Sequence, residues 1–328
     1  MEQRRFSGKG HWYHETQSNH SQTDVLPLVP EAANVDDRFL LDLALPDDIL
    51  ASCAGWLAPA RTLCHLLFPL DTPVSRLHTL SAYDRLSTAL TVAQACGVQR
   101  LCNHYAALLA PLPGPDSSRE SNRRLAEITQ YARQLASSPD VIDDKAQNQL
   151  DEVGLTTYDI VLINQIIGFV GFQARMVAVF QALLGHPVRW LPGHHIQPHT
   201  LPVSFSRWTA TLPAVELKYA SALQLEALSR WQAEPALEAL TPVLCHEPML
   251  LNLTGEILLN HPLSEGPASS MISAARALLV ASPDRFSAAQ LTPLTGSGLL
   301  PEKAINLLTR DAFYGWLNRL RVALGKEE

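Results

Sequence analysis

An all-α fold is what this sequence predicts, on three observations. Good helix formers mix with apolar residues near 3.6 spacing in most segments, cap and stop residues flank the longest apolar stretch, and alternating β-branched runs bounded by tight turns are missing. Hydrophobic residues are 47% and charged residues 17% of the 328-residue chain, which supports a substantial core and argues against disorder for most of it. The length suits two domains of ordinary size.

The elements follow in order. Residues 1–35 read as a polar N-terminal arm. Met1 to Asp24 carries His11, His14 and His20 and lacks the apolar stretch of a secretory signal, so a cytoplasmic protein is expected. A first domain spans 36–186. Its helices are expected at Asp48–Leu57, Asp84–Ala95, Cys102–Leu109, Asn122–Ala136 and Ala146–Glu152. Pro111 to Pro115 is a loop, with Asp116, Ser117 or Ser118 as the cap of the next helix. Thr157–Leu184 reads as one long helix, capped by Thr156 or Thr157 and stopped by Gly185-His186-Pro187. A linker over 187–204 holds four prolines and His194, His195 and His199. The second domain, 205–328, opens with helices at Trp208–Arg230, Pro235–Leu244 and Leu250–Leu259.

The chain also repeats itself. Ser138-Pro139-Asp140 returns as Ser282-Pro283-Asp284, Gly154-Leu155 as Gly298-Leu299, and Phe169-x-Gly171-Phe172-x-x-Arg175 as Phe313-x-Gly315-Trp316-x-x-Arg319. Each pair is 144 positions apart without a gap, which reads as a duplicated unit. If Leu263-Ser264 matches Leu80-Ser81, the second copy is about 39 residues short, and Asp84 to about Arg123 has no counterpart in it. In the shared motif, Phe169, Phe172 and Gln173 fall on one helix face, the glycine lets another helix approach, and Arg175 is placed to pair with a carboxylate or with carbonyls at a helix end.

Several function classes are excluded at this stage. The net charge of −7 is spread along the chain and no basic stripe interleaves with aromatics, so no nucleic acid is expected as a partner. Apolar runs such as Ile160 to Ile167 are short and include Asn164 and Gln165, so no membrane span is expected. Five cysteines at irregular spacing, with no CxxC, do not form a disulfide framework. There is no GxGxxG and no Walker loop, and no cofactor is expected.

Leu80-Ser81-x-x-Asp84-Arg85, a helix, and then Gly97 opening a second helix with His104 resemble the alkylhydroperoxidase D (AhpD)-like, carboxymuconolactone decarboxylase family. The Ser-Pro-Asp segment, the Gly-Leu pair and the run from Phe313 to Arg319 resemble that family's closing helices. The resemblance covers roughly 80–185 and, less completely, 236–325. It implies an AhpD-like helical fold, duplicated with a truncated second copy, peroxidase-type oxidoreductase and antioxidant activity, a small hydroperoxide or thiol as ligand, and a homo-oligomer. The family's peroxidases use a glutamate, a CxxC at a helix start and a histidine. The helix end lowers a thiol pKa, the thiolate attacks the O–O bond and the second cysteine closes a disulfide. Registered on Gly97, these positions hold Leu86, Val98, Leu101 and Tyr105, so the motif is lost.

Cys102 is then the candidate nucleophile, with His104 or Tyr105 assisting; the alternative is a buried thiol acting as a small hydrophobe. On one helix Cys102 and His104 point about 200° apart. A Cys96–Cys102 pair would be about 9 Å apart in rise on a continuous helix, and only a break at Gly97 would allow it to bond. Cys245-His246-Glu247 reads as a site or as a helix end, His194/His195/His199 as metal ligands or surface histidines, and Gln94 and Gln165 as pocket lining or satisfied amides. Two functions are open: a one-cysteine oxidoreductase at Cys102, or a catalytically inactive helical scaffold that binds or assembles.

Overall fold

The computed structural model describes residues 34–69, 71–187, 196, 208–261, 270–296 and 298–327. Among them the chain is helical, in the order α1 Asp47–Leu67, α2 Ala82–Cys96, α3 Gln99–Leu109, α4 Arg119–Ser137, α5 Asp144–Glu152, α6 Thr157–Leu183, α7 Ala222–Trp231, α8 Thr241–Leu244, α9 Pro248–Leu259, α10 Ser270–Ala281, α11 Ala288–Gly296 and α12 Pro301–Leu324. The polar arm up to residue 33, His194, His195 and His199, and Leu263-Ser264 lie outside the described residues.

Local chemistry sets most boundaries. Ser81 caps α2 in a reciprocal box with Asp84, Ser118 caps α4 through the Ser121 N–H, and Thr156 caps α6 in a box with Asp159. Gly97 ends α2 at φ 70°, a conformation that a side chain disfavours, and α3 starts two residues later. α1 continues beyond Leu57 to Leu67, straight through Pro59. The backbone bond that Pro59 cannot donate is offset by a face that buries Trp56, Leu57, Ala60, Leu63, Cys64 and Leu67.

Two sequence expectations are corrected. Trp208 to Ser221 is not helical: Trp208–Ala210 is a short strand, β1, antiparallel to Gly325–Glu327, β2. The Trp208 indole donates to the Arg321 carbonyl at 2.9 Å and lies over Gly325, where a Cβ would come within 2.2 Å of the ring. Pro235–Leu244 is mostly turn, with helix confined to the four residues of α8.

One apolar core runs through both expected domains, from Phe39 and Trp56 through Phe169, Phe172 and Phe180 to Phe313 and Trp316. α6 lies against α12 at its centre. Phe172 sits 6.0 Å from Phe313 and 6.1 Å from Trp316, and Phe169 sits 5.8 Å from Trp316. The close approach is at Gly168, where a Cβ would fall 1.8 Å from the Trp316 ring. α6 is also longer and more apolar than the run Ile160 to Ile167 suggested: by length and composition it could cross a membrane, yet 89% of its most apolar window is buried inside the protein.

The 144-residue spacing returns in the backbone. Short 3₁₀ turns occupy Pro139–Val141 and Pro283–Arg285. Ser138 and Ser282 before them have φ, ψ of −143°, 68° and −151°, 68°, and Gly154 and Gly298 have φ of 86° and 90°. α5 and α11 start 144 residues apart, as do α6 and α12.

Candidate functional site

The sequence-predicted site lies at the α2–α3 break. Gly97 interrupts the helix between Cys96 and Cys102, as a contact between those thiols requires, and the two are electrostatic neighbours. Both are free and fully buried, with Cys102 at 0% exposure. Burial pushes both thiols up; at Cys102 the charge of Cys96 adds to it, while at Cys96 the guanidiniums of Arg175 and Arg319 act the other way. A reactive thiol needs the opposite balance, a lowered pKa and some exposure.

His104 and Tyr105 are buried on α3 beside each other, with ring centroids 5.3 Å apart. The Tyr105 hydroxyl donates to Gln173 Oε1 at 2.7 Å, and Gln173 Nε2 donates to the carbonyls of Arg38 and Phe39 at 2.8 and 3.0 Å. Tyr105 therefore belongs to a chain of hydrogen bonds that ties α3 to α6 and to the turn before α1. Burial raises its phenol well above the ordinary value, and the neighbouring Cys64 acts in the same direction. The other three motif positions, Leu86, Val98 and Leu101, are buried core. Where the family pattern has acid, thiols and base, this chain has packed side chains.

The two motif arginines have a structural partner each, of the kind the sequence suggested. Arg175 donates to Gly171 O at 2.8 Å and to Val280 O at 2.7 Å; Arg319 donates to Gly315 O at 2.8 Å and to Ala136 O at 2.8 Å. Positions 136 and 280 are themselves 144 apart, so each arginine holds the last turn of the other segment's helix. Gly171 and Gly315 leave room for the arginine's return onto its own helix; the helix–helix approach assigned to them belongs to Gly168. Burial lowers both arginine pKa values, and at Arg319 the like charge of Arg175 adds to it.

Gln165 accepts from the Trp316 indole at 3.2 Å, a buried amide tying α6 to α12, and Gln94 is half-buried on α2. Cys245-His246-Glu247 is a helix end: Cys245 closes α8 and Glu247 opens α9. Among the described residues no group of His, Cys, Asp and Glu could hold a metal. A shallow dent lined by Glu127, Gln130, Tyr131, Gln134 and Gln149 includes none of Cys102, His104 or Tyr105.

Sequence reasoning missed a second group of titratable side chains. His78, Tyr158, His246 and Glu247 meet, and Arg85 acts on Glu247 electrostatically, although they come from four separate segments. Only the His-Glu dipeptide before Pro248 signalled it; the rest depends on tertiary packing.

No protein-family model matches the chain, and no curated protein matches it significantly.

Proposed function

We propose that the chain is a catalytically silent helical scaffold of AhpD-like descent, made of a doubled module whose second unit lost the motif region, and that it works as a cytoplasmic binding or assembly module. The observation that carries this reading is the complete burial of Cys102 with its thiol held protonated. The matched backbone conformations at 144-residue spacing and the exchanged arginine contacts support the doubling. The homo-oligomer implied by the family resemblance is part of the proposal, and sedimentation of the full chain tests it.

A second reading, a one-cysteine oxidoreductase, is favoured by one observation: Cys96 neighbours Cys102 across the Gly97 turn, with two guanidiniums that favour its thiolate. Peroxide turnover separates the two. Wild type and Cys102→Ser are expected to give equal rates at background, and a thiol reagent at neutral pH is expected to label Cys102 only after denaturant is added. Turnover that Cys102→Ser abolishes, or rapid native labelling of Cys102, overturns the scaffold in favour of the enzyme.

A further inference from the structure

Four parts of the chain converge at one corner of the molecule. The segment before α2 brings His78, α2 brings Arg85, α6 brings Tyr158 and Asp159, and the α8–α9 corner brings His246 and Glu247. His78 Nδ1 lies 3.5 Å from Glu247 Oε1. The Tyr158 ring makes edge contacts with both imidazoles, its centroid 5.1 Å from that of His78 and 4.9 Å from that of His246.

The corner is closed, but its polar groups are incompletely satisfied. His246 Nε2 faces the Pro213 carbonyl at 2.9 Å; a carbonyl only accepts, so that nitrogen carries the hydrogen and Nδ1 is left buried without a partner. Arg85 Nη1 donates to the Leu67 carbonyl at 3.3 Å, while its Nε is buried without a partner. Asp159 is committed elsewhere, accepting from the Thr79 and Leu80 N–H groups and from Thr156. Among the described residues, the Glu247 carboxyl has His78 as its near polar contact, with no arginine in salt-bridge range.

We propose that this corner is a proton-operated clasp between the His78–Arg85 segment and the start of α9, closed while the Glu247 carboxyl is neutral and loosened when it ionises. A neutral carboxyl fits a half-buried place beside Asp159. A carboxylate there loses hydration and meets the like charge of Asp159, opposed by Arg85 from beyond direct contact and by His78 at 3.5 Å when its imidazole is protonated. The groups acting on it are Arg85 from α2 and Asp159 on α6, with His78 in contact and His246 adjacent in the chain; Asp84 acts on Arg85. α1 and α7 also pack on α9, and the ionic contact α7 makes there, Arg230 with Glu256, lies more than two turns away.

The same balance places the Glu247 carboxyl at about 7, above its ordinary 4.5. The folded chain therefore binds this proton more tightly than the unfolded chain does. The stability it contributes is fully present below about 4.5 and is lost as pH rises through 7.

Hydrogen exchange on the full chain tests the clasp. After correction for intrinsic exchange, amides of residues 75–80, 246–247 and 249–252 in the wild type are expected to lose about tenfold in protection between pH 6 and pH 8, the equivalent of one pKa unit. Glu247→Gln, which mimics the neutral acid, is expected to keep its protection. An equal pH response in the two proteins overturns the proposal. A carboxyl-carbon NMR titration of Glu247 in the wild type decides independently of how the variant folds: a midpoint near 7 supports the clasp, and one near 4.5 overturns it.

Discussion

The segments around α4–α6 and α10–α12 share a backbone and differ in how the long helix starts. α6 opens with a Thr156–Asp159 capping box, whereas α12 opens with Leu300 and Pro301 and has no side-chain cap. The position matching Asp159 is Lys303. Asp159 is fully buried and accepts from the Thr79 N–H at 2.8 Å, the Thr79 hydroxyl at 2.7 Å, the Leu80 N–H at 3.2 Å and the Thr156 N–H at 3.0 Å. It is the tie that fastens the start of α2 to the start of α6. A buried carboxylate is tolerable there because the chain entering α2 supplies its donors. Lys303 is exposed, and a solvated lysine suffices there. The comparison teaches that the polar anchor belongs to the chain entering α2, not to the backbone pattern that the two segments share.

The largest effect should come from cutting that anchor. Asp159→Ala leaves several inward-facing donors without an acceptor and is expected to cost about 3 kcal/mol, against under about 0.5 kcal/mol for Lys303→Ala. Denaturant midpoints of the two variants measure the contrast, and equal losses would break the comparison. Next is the crossing of the long helices, where Gly168 matches Ala312. A methyl group at 168 collides with the buried Trp316 ring, so Gly168→Ala is expected to lose about 2 kcal/mol by overpacking. Replacing Trp316 by Phe in the same chain should recover part of it, by the same unfolding measurement.

The smallest effect sharpens the symmetry. Arg175→Lys and Arg319→Lys keep a buried charge but lose the fork that spans two carbonyls. Arg319 holds the carbonyl of the buried Ala136, while Arg175 holds that of the partly exposed Val280. A loss of about 1–2 kcal/mol is expected at 319, and a smaller one at 175. Thermal unfolding that ranks them the other way would show that burial of the held residue does not set the difference between the two contacts.

The catalytic candidates were legible only as residue types. Cys102 near a helix start is consistent with both a nucleophile and a core thiol, because the sequence does not say which helix face meets the core. Packing of α3 under α2 and beside α6 buried it, and burial reversed the electrostatics that a helix start would supply. Tyr105 stands where the resembled pattern would have its histidine and proved to be the donor to Gln173, a link across 68 residues that no local pattern encodes. The helix expected over Trp208–Arg230 forms only from Ala222 on, and its first part failed for a related reason. The Trp208–Ala210 pairing partner lies at Gly325–Glu327, and strand formation depends on that distant edge more than on local propensity.

By itself the sequence determined what is local and periodic: the helical class, a cap before α4 within Asp116–Ser118 and one before α6 at Thr156 or Thr157, the glycine break at 97, and the repeat whose spacing the backbone reproduces. These follow from neighbours within about one helical turn, where propensity and capping chemistry decide. Tertiary structure alone decided which thiols are sealed, which carbonyls the two arginines hold, and that His78 meets Glu247. Such contacts depend on how apolar faces close over one another. The free energy of that closure comes from the area buried by all the helices together, and no single segment carries it.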